Sequence, residues 1–405
     1  MRKRIVVVGS NFAGLTAALK IKEQLRDAHE VAVYSKSPDF LFMPSMIWVP
    51  FGLRDRKQIT FPLAPLYKKK EVEFTLGEVT QFDLEQRQIR FSPGAGAGSE
   101  QTAGYDYLVI ATGPELNYEA VPGLGPRQGH TQSIFAWEDA AAAHTAFERW
   151  LAKPGPVVIG AVQGASCFGA AYEFLFNFAY QLRRHKLEKK VPLTYMTAEP
   201  FLAHFGLGGF GNAQKMTEQF FKMLGIQAEL NAKVREITQD EIRLEDGRKL
   251  PFTYSMLAPA FRGVPAVRAA KDITNQGGWV KTDGYYRTEP YSEVYAAGVA
   301  VALNPPAETP VPCGVPKTGY LSEEMAKVAA HNIVADIQGH HKVALPPGSI
   351  DAKCVLDAGN MGIIMSADHF LEPREHTWLI PGPEAHWAKL AFEKYFLTTR
   401  KRGMV

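Results

Sequence analysis

Cysteine is scarce in this sequence: Cys167, Cys313 and Cys354 are the only three in 405 residues, too few for a disulfide framework and too widely spaced for a zinc site. No metal is expected, and each thiol is either reactive or an inert buried group. Runs of about 18 apolar residues are missing, which excludes a helix that spans a bilayer. An excess of one charge is missing too: 45 Lys+Arg against 42 Asp+Glu leave a formal net charge of +3 and no long basic stripe, so nucleic acid is disfavoured as a partner. Met1-Arg2-Lys3-Arg4 ahead of apolar residues begins like a signal peptide, yet no small-residue cleavage site follows. A first β-strand leading into Gly9 and Gly14 is the better reading, and no signal peptide is expected.

What is present is enough apolar residue, 46% of the chain, for two or three cores in a multidomain protein. Ile5-Val6-Val7-Val8 reads as a buried parallel strand, Phe12 to about Glu23 carries helical apolar spacing, and His29 to Tyr34 reads as a second strand. Between strand and helix lies Gly9-Ser10-Asn11-Phe12-Ala13-Gly14. Gly9 permits a tight turn and Gly14 close helix packing, so the helix N-terminus faces a dinucleotide pyrophosphate, with Asn11 where a middle glycine is usual.

The plan occurs twice. Val72 to Gly113 predicts short strands around Val79 and Ile89-Arg90-Phe91, a turn at Gly94 to Ser99, and the strand Tyr107 to Ile110 before Ala111-Thr112-Gly113; Ala228 to Ala260 repeats it, with a turn at Asp246-Gly247. The chain returns through Glu293 to Gly298 before a helix from about Thr318 to Ile337. The expected architecture is α/β: two Rossmann-like dinucleotide-binding domains with inserted β-meanders, plus a small C-terminal domain. Residues 1–115 and 265–335 form the first, 116–264 the second with Cys167, and 336–405 the capping domain.

Gly9/Gly14, Ile110-Ala111-Thr112-Gly113 and Ala296-Ala297-Gly298, in that order, resemble the FAD-binding parts of two-dinucleotide-domain flavoproteins. Within them, Gly164-Ala165-Ser166-Cys167-Phe168-Gly169, Thr309-Pro310-Val311-Pro312, Pro316-Lys317-Thr318-Gly319-Tyr320 and Phe392-Glu393-Lys394-Tyr395-Phe396 resemble the sulfide:quinone oxidoreductases, from residue 1 to about 400. The resemblance implies FAD held by Gly9, Asn11, Phe12, Ala13, Gly14, Ser35, Lys36, Pro44, Ser45, Ala111, Thr112, Gly113, Gly298, Lys317 and Thr318. Two acids usual in flavoproteins are absent, leaving Ser35 and Lys36 after the second strand and Val299 after the late glycine, so FAD is expected to rest more on backbone and small polar groups.

The second glycine turn, Gly160-Ala161-Val162-Gln163-Gly164, has the wrong spacing for NADH, and Cys167 and Phe168 are bulky for close pyrophosphate approach. Cys167 by itself reads as a small buried hydrophobe or as a thiol whose pKa a helix N-terminus lowers. The resemblance makes it redox-active and pairs it with Cys354, which by itself could be a strand-core thiol. A disulfide or trisulfide accepts attack by sulfide and the released thiolate can attack a flavin, so persulfide formation is assigned to Cys167 and flavin adduct formation to Cys354. Phe135 stands where the family often has a third cysteine, Asp139 where it has a histidine, and Cys313 reads as structural.

Glu173 and His204 read as proton carriers or satisfied core groups, and Lys317 as a solvated lysine or a charge partner for reduced flavin. At the terminus, His386 to Leu397 mixes aromatics and cations. It predicts an interfacial helix offering Lys389, Phe392, Tyr395 and Phe396 to a lipid quinone, or a helix that closes the core, or both. The family implies amphipathic membrane-binding helices beyond this point; the sequence stops at Val405, leaving weak anchorage or a trimmed chain. The expected function is oxidation of sulfide to zero-valent sulfur or polysulfide with electrons passed to a membrane quinone, at a prokaryotic, peripheral membrane location; self-association as an oligomer is open. Rival readings are the flavoprotein subunit of a sulfide:cytochrome c dehydrogenase, an NADH:quinone oxidoreductase, and a flavin redox sensor whose two cysteines form a regulatory disulfide.

Overall fold

A computed structural model describes residues 2–94 and 98–405, so residues 95–97 of the predicted Gly94 to Ser99 turn, and Met1 of the basic start, lie outside the described residues. The apolar run opens the fold as β1 (Arg4–Val8), followed by α1 (Phe12–Leu25) and β2 (Glu30–Ser35). An inserted meander follows: β3 (Glu73–Asp83), β4 (Gln88–Pro93) and β5 (Gln101–Gly104), then β6 (Tyr107–Ile110). β1 pairs in parallel with both β2 and β6, which is why its four valine and isoleucine residues are buried on both faces and the run is continuous rather than alternating.

The second unit repeats this with β7 (Val157–Ala161), α2 (Phe168–Arg184), β8 (Leu193–Thr197), β9 (Ile226–Glu229), a meander of β10 (Val234–Ile237), β11 (Glu241–Leu244) and β12 (Lys249–Pro251), and β13 (Tyr254–Ala258). Its parallel sheet has the order β9-β8-β7-β13. Here the meander is a separate three-stranded antiparallel sheet, whereas β3, β4 and β5 extend the first parallel sheet directly. The repeat is therefore one of plan, not of sheet continuity.

β14 (Val294–Ala296) then pairs with β6 and completes the first sheet, and α3 (Gly319–Gln338) packs along α1. The remainder is an antiparallel sheet of β15 (Ala352–Asp357), β16 (Gly362–Ala367) and β17 (Thr377–Gly382), covered by α4 (Pro383–Lys401). β15 also lies against α2, and this contact brings Cys354 toward the helix that Cys167 opens.

Candidate active site

The turn between β1 and α1 has the shape of a dinucleotide cradle. Gly9 adopts φ +100°, and a Cβ there would stand 2.1 Å from the Ala111 carbonyl oxygen; one on Gly14 would stand 2.0 Å from the Gly9 oxygen. Both glycines are thus required by backbone contact. Asn11, at the N-cap of α1, makes no capping bond, and its Oδ1 is a buried acceptor without a protein partner, as a site for a hydroxyl-rich cofactor would provide. Gly113, at φ +71°, faces open space, and Gly298 packs on Ala13, so the three glycine signals converge on one cradle that fits FAD.

The other residues expected at the cofactor are placed unevenly. Phe12 is committed to an aromatic cluster with Phe40, Phe42 and Phe396, with ring centroids 5.1–6.1 Å away. Ser35 bonds the Ser37 backbone, Lys36 is exposed, and Thr112 and Pro44 are half-buried. Ser45 is fully buried and donates to Glu393, a carboxylate that Arg54 also holds at 2.9 Å. Thr318 caps α3 by accepting from Leu321 N, and Lys317 Nζ donates to the carbonyls of Val299 (3.0 Å) and Val301 (2.9 Å) over the Trp279 ring. Burial without a carboxylate partner lowers its pKa to about 7.

Cys167 caps α2, and Cys354 lies on β15 opposite Met365. Each is partly exposed, and Cys354 lies within electrostatic reach of Cys167, Glu173 and Lys389. The expectation that the helix N-terminus lowers the Cys167 pKa is corrected here. Burial raises it to about 11; the Ala170 N–H acts the other way and is outweighed, while Glu173 adds to the rise. Cys354 is pushed up to about 12, by burial first and Glu173 second. At neutral pH both are thiols, so a sulfur-bridged form that is attacked suits them better than a free thiolate that attacks.

Glu173, from α2, is buried, pairs with Lys389 of α4 and accepts from the Asp357 N–H of β15 at 2.7 Å. Burial raises its carboxyl to about 7 against the pull of Lys389. Asp357 extends the network, accepting from Trp48 Nε1 at 3.0 Å and bonding His386 Nδ1 at 2.6 Å. Trp48, His386 and Asp357 were not anticipated; the one available signal was that Asp357 ends the strand carrying Cys354.

The four residues expected at a quinone do not share a surface. Helical periodicity turns Lys389 and Phe396, seven apart, inward, where they are buried; Phe392 and Tyr395 face outward. Arg400 is likewise buried against Glu323 at 2.7 Å, so the cations of the terminus divide into inward paired ones and the outward Lys394, Lys401 and Arg402. His204 is buried, and its Nδ1 accepts from Gly206 N at 3.1 Å.

The second glycine turn is occupied by the chain itself. Gly164 N donates to Pro312 O at 2.6 Å and Gly314 N to Ala165 O at 2.8 Å, so the loop carrying Cys313 is laced onto the loop before Cys167. Gly160 is required by β8 rather than by a nucleotide, since a Cβ there would meet Met196 O at 1.7 Å. Cys313 itself is buried, with Sγ 3.6 Å from Val311 O and its pKa pushed up to about 12 by burial. Phe135 packs edge-on to Phe261, and Asp139 accepts from Tyr118 OH at 2.9 Å.

Residues 3–318 match the model of the pyridine nucleotide-disulphide oxidoreductase family. A sulfide-quinone reductase of Aquifex aeolicus (strain VF5) is 34% identical over 411 aligned positions, covering 100% of this chain and 93% of that protein. The X-ray structure of the sulfide:quinone oxidoreductase from that hyperthermophilic bacterium superposes with a TM-score of 0.93 over 99% of this chain and 92% of that one. A type II NADH:quinone oxidoreductase of Mycobacterium tuberculosis is 24% identical over 85% of this chain and 75% of that protein. NDH2 from Plasmodium falciparum, at 15% identity and a TM-score of 0.73, shares the fold. The glycine cradle, the two thiols and these likenesses agree: the chain belongs to the pyridine nucleotide-disulphide oxidoreductases and, within them, to the FAD-dependent sulfide:quinone oxidoreductase family.

Proposed function

We propose that the chain oxidises sulfide to zero-valent sulfur through Cys167 and Cys354 and passes the two electrons by way of FAD to a membrane quinone. The observation that carries this reading is the packing of β15 on α2 and α4, which sets Cys354 within electrostatic reach of Cys167, Glu173 and Lys389. In the Cys167–Cys354 disulfide, hydrosulfide attacks Sγ of Cys167. A sulfur–sulfur bond breaks, Cys167 keeps the persulfide, and Cys354 leaves as a thiolate with the electron pair. Lys389 favours that anion, while Glu173, titrating at about 7, can take the sulfide proton at neutral pH. FAD, when bound, supplies a two-electron acceptor that a quinone reoxidises.

The laced loop at Gly164 and Ala165 favours sulfide over NADH, because the backbone N–H that would receive a pyrophosphate already serves Pro312. For the membrane contact, support comes from outward Trp387, Phe392 and Tyr395 on α4 beside Trp378 and Ile380 on β17. Near the end of α4, Lys57, Lys69 and Lys401 rim a groove of about 580 Å³ floored by Phe61 and Leu66, a combination suited to anionic headgroups. No helix among the described residues is long and apolar enough to cross a membrane. Anaerobic mixing with sulfide or NADH tests the reading: sulfide should bleach the flavin and a soluble quinone restore it, whereas bleaching by NADH alone would overturn it.

A further inference from the structure

Glu199 is a buried carboxylate for which sulfide chemistry gives no role. It is 0% exposed and its partners include no cation: Oε2 accepts from Tyr172 OH (2.9 Å), Tyr195 OH (3.3 Å) and Thr197 Oγ1 (2.8 Å), and Oε1 from Phe205 N (2.7 Å). Two of these bonds lead to either side of Cys167. Tyr172 lies on α2, in the second turn after Cys167, and its hydroxyl also accepts from Ala203 N at 2.8 Å. Phe205 belongs to the loop that holds His204, where Ala203 (φ +61°) and Phe205 (φ +56°) both adopt the left-handed conformation that ordinary side chains avoid. The next residue, Gly206, approaches Gly314 so closely that a Cβ would stand 2.0 Å from its oxygen, and Gly314 N bonds Ala165 O, two residues before Cys167.

We propose that Glu199 is a positioning residue for the sulfur-side thiol: its carboxylate ties α2 to the strained His204 loop, and so holds the segments before and after Cys167 in one arrangement. All four partners donate to the anion; when Oε2 takes a proton, one hydroxyl must turn from donor to acceptor and the remaining bonds lose their charge assistance, which loosens the clamp. Burial raises this carboxyl to about 7, which places the weakening of the clamp near neutral pH. The titratable groups facing it are Tyr172 and Tyr195, both held well above the ordinary tyrosine range by burial, and Cys313, at about 12. None of these changes charge near neutrality; His204, beside Phe205 in the same loop, is held below the ordinary histidine range by burial and gains charge only at the acid end.

The proposal rests on the reading of Cys167 as the sulfur-capturing thiol, but its test does not need turnover. In reduced holoenzyme, alkylation of Cys167 and Cys354 is followed by mass spectrometry between pH 6 and pH 8, as a ratio. Both thiols titrate at about 11 to 12, and Glu173 acts on both, so the comparison of this ratio between wild type and variant at each pH reports exposure. In the wild type the Cys167:Cys354 ratio should rise as pH falls through about 7. In Glu199→Gln the part of the rise that Glu199 contributes should be gone, leaving only what Glu173 contributes to both proteins alike, and the ratio at pH 8 should be high by roughly tenfold, the equivalent of one lost charge-assisted bond. Tyr172→Phe, which spares the carboxylate, should raise the pH 8 ratio while keeping the pH dependence. A folded Glu199→Gln protein with the wild-type ratio at every pH would overturn the proposal. Loss of sulfide bleaching in Cys167→Ser, measured separately, tests the functional reading, so the two failures are distinguishable.

Discussion

Replacing Lys389 with methionine probes the ion pair at the centre of the site. The Glu173 carboxyl, ordinarily near 4.5, stands at about 7 because burial outweighs the attraction of Lys389 and the Asp357 N–H. Its folded value is raised, so the stability it contributes is full below about 4.5 and is lost as pH rises to about 7; above that the folded form ionises too and the loss stops. Without Lys389, ionisation in the folded state moves higher and the loss continues. From about pH 6 to about pH 8 the variant therefore gives up about 1.4 kcal/mol more than the wild type. In a protein of this size that is about 2 °C in Tm. Differential scanning fluorimetry at about pH 6 and about pH 8 on both proteins, with FAD bound, reads it. The Tm deficit of Lys389→Met should be larger at the higher pH. A deficit equal at both would refute the assignment of a carboxyl near neutrality coupled to Lys389.

Other outcomes follow from the same structure. Cys354→Ser should abolish flavin bleaching by sulfide, while Cys313→Ala should retain it, since the Cys313 thiol faces its own loop rather than the other two. Gly9→Ala should purify without FAD or fail to fold, because its Cβ would stand 2.1 Å from Ala111 O in a left-handed backbone, a strain of about 3 kcal/mol or more; flavin absorbance per protein measures it. Reversing Lys69 and Lys401 to glutamate should weaken flotation with anionic vesicles by at least about tenfold at low salt, leaving neutral vesicles unaffected.

Much of this fold is written locally. The Ile5 to Val8 run, the Gly9 and Gly14 turn and the paired meanders follow from burial on both faces, backbone crowding and turn chemistry, and the strands stand where the periodicity puts them. The site was legible where a residue's role is fixed by its neighbours in sequence, as for Cys167 at the head of α2. It was not legible where partners come from distant elements. Nothing near Lys389 announces that Glu173 will pair with it, so a cation on an aromatic helix stays open between an interfacial group and a core one. For Cys167 both burial and a helix N-terminus are legible in sequence, but which of the two outweighs the other is not. Glu199 was invisible for the same reason: its meaning lies in two left-handed residues and a loop more than a hundred residues away.

The central claim, that sulfide sulfur is captured on Cys167 and its electrons leave through Cys354, is tested most directly by mapping the sulfur. Holoenzyme is mixed anaerobically with sulfide without quinone, blocked with an alkylating reagent and digested for mass spectrometry. The account predicts an added sulfur on the Cys167 peptide and none on the Cys313 peptide. Added sulfur on Cys313, or bleached flavin with no sulfur on Cys167, would contradict it.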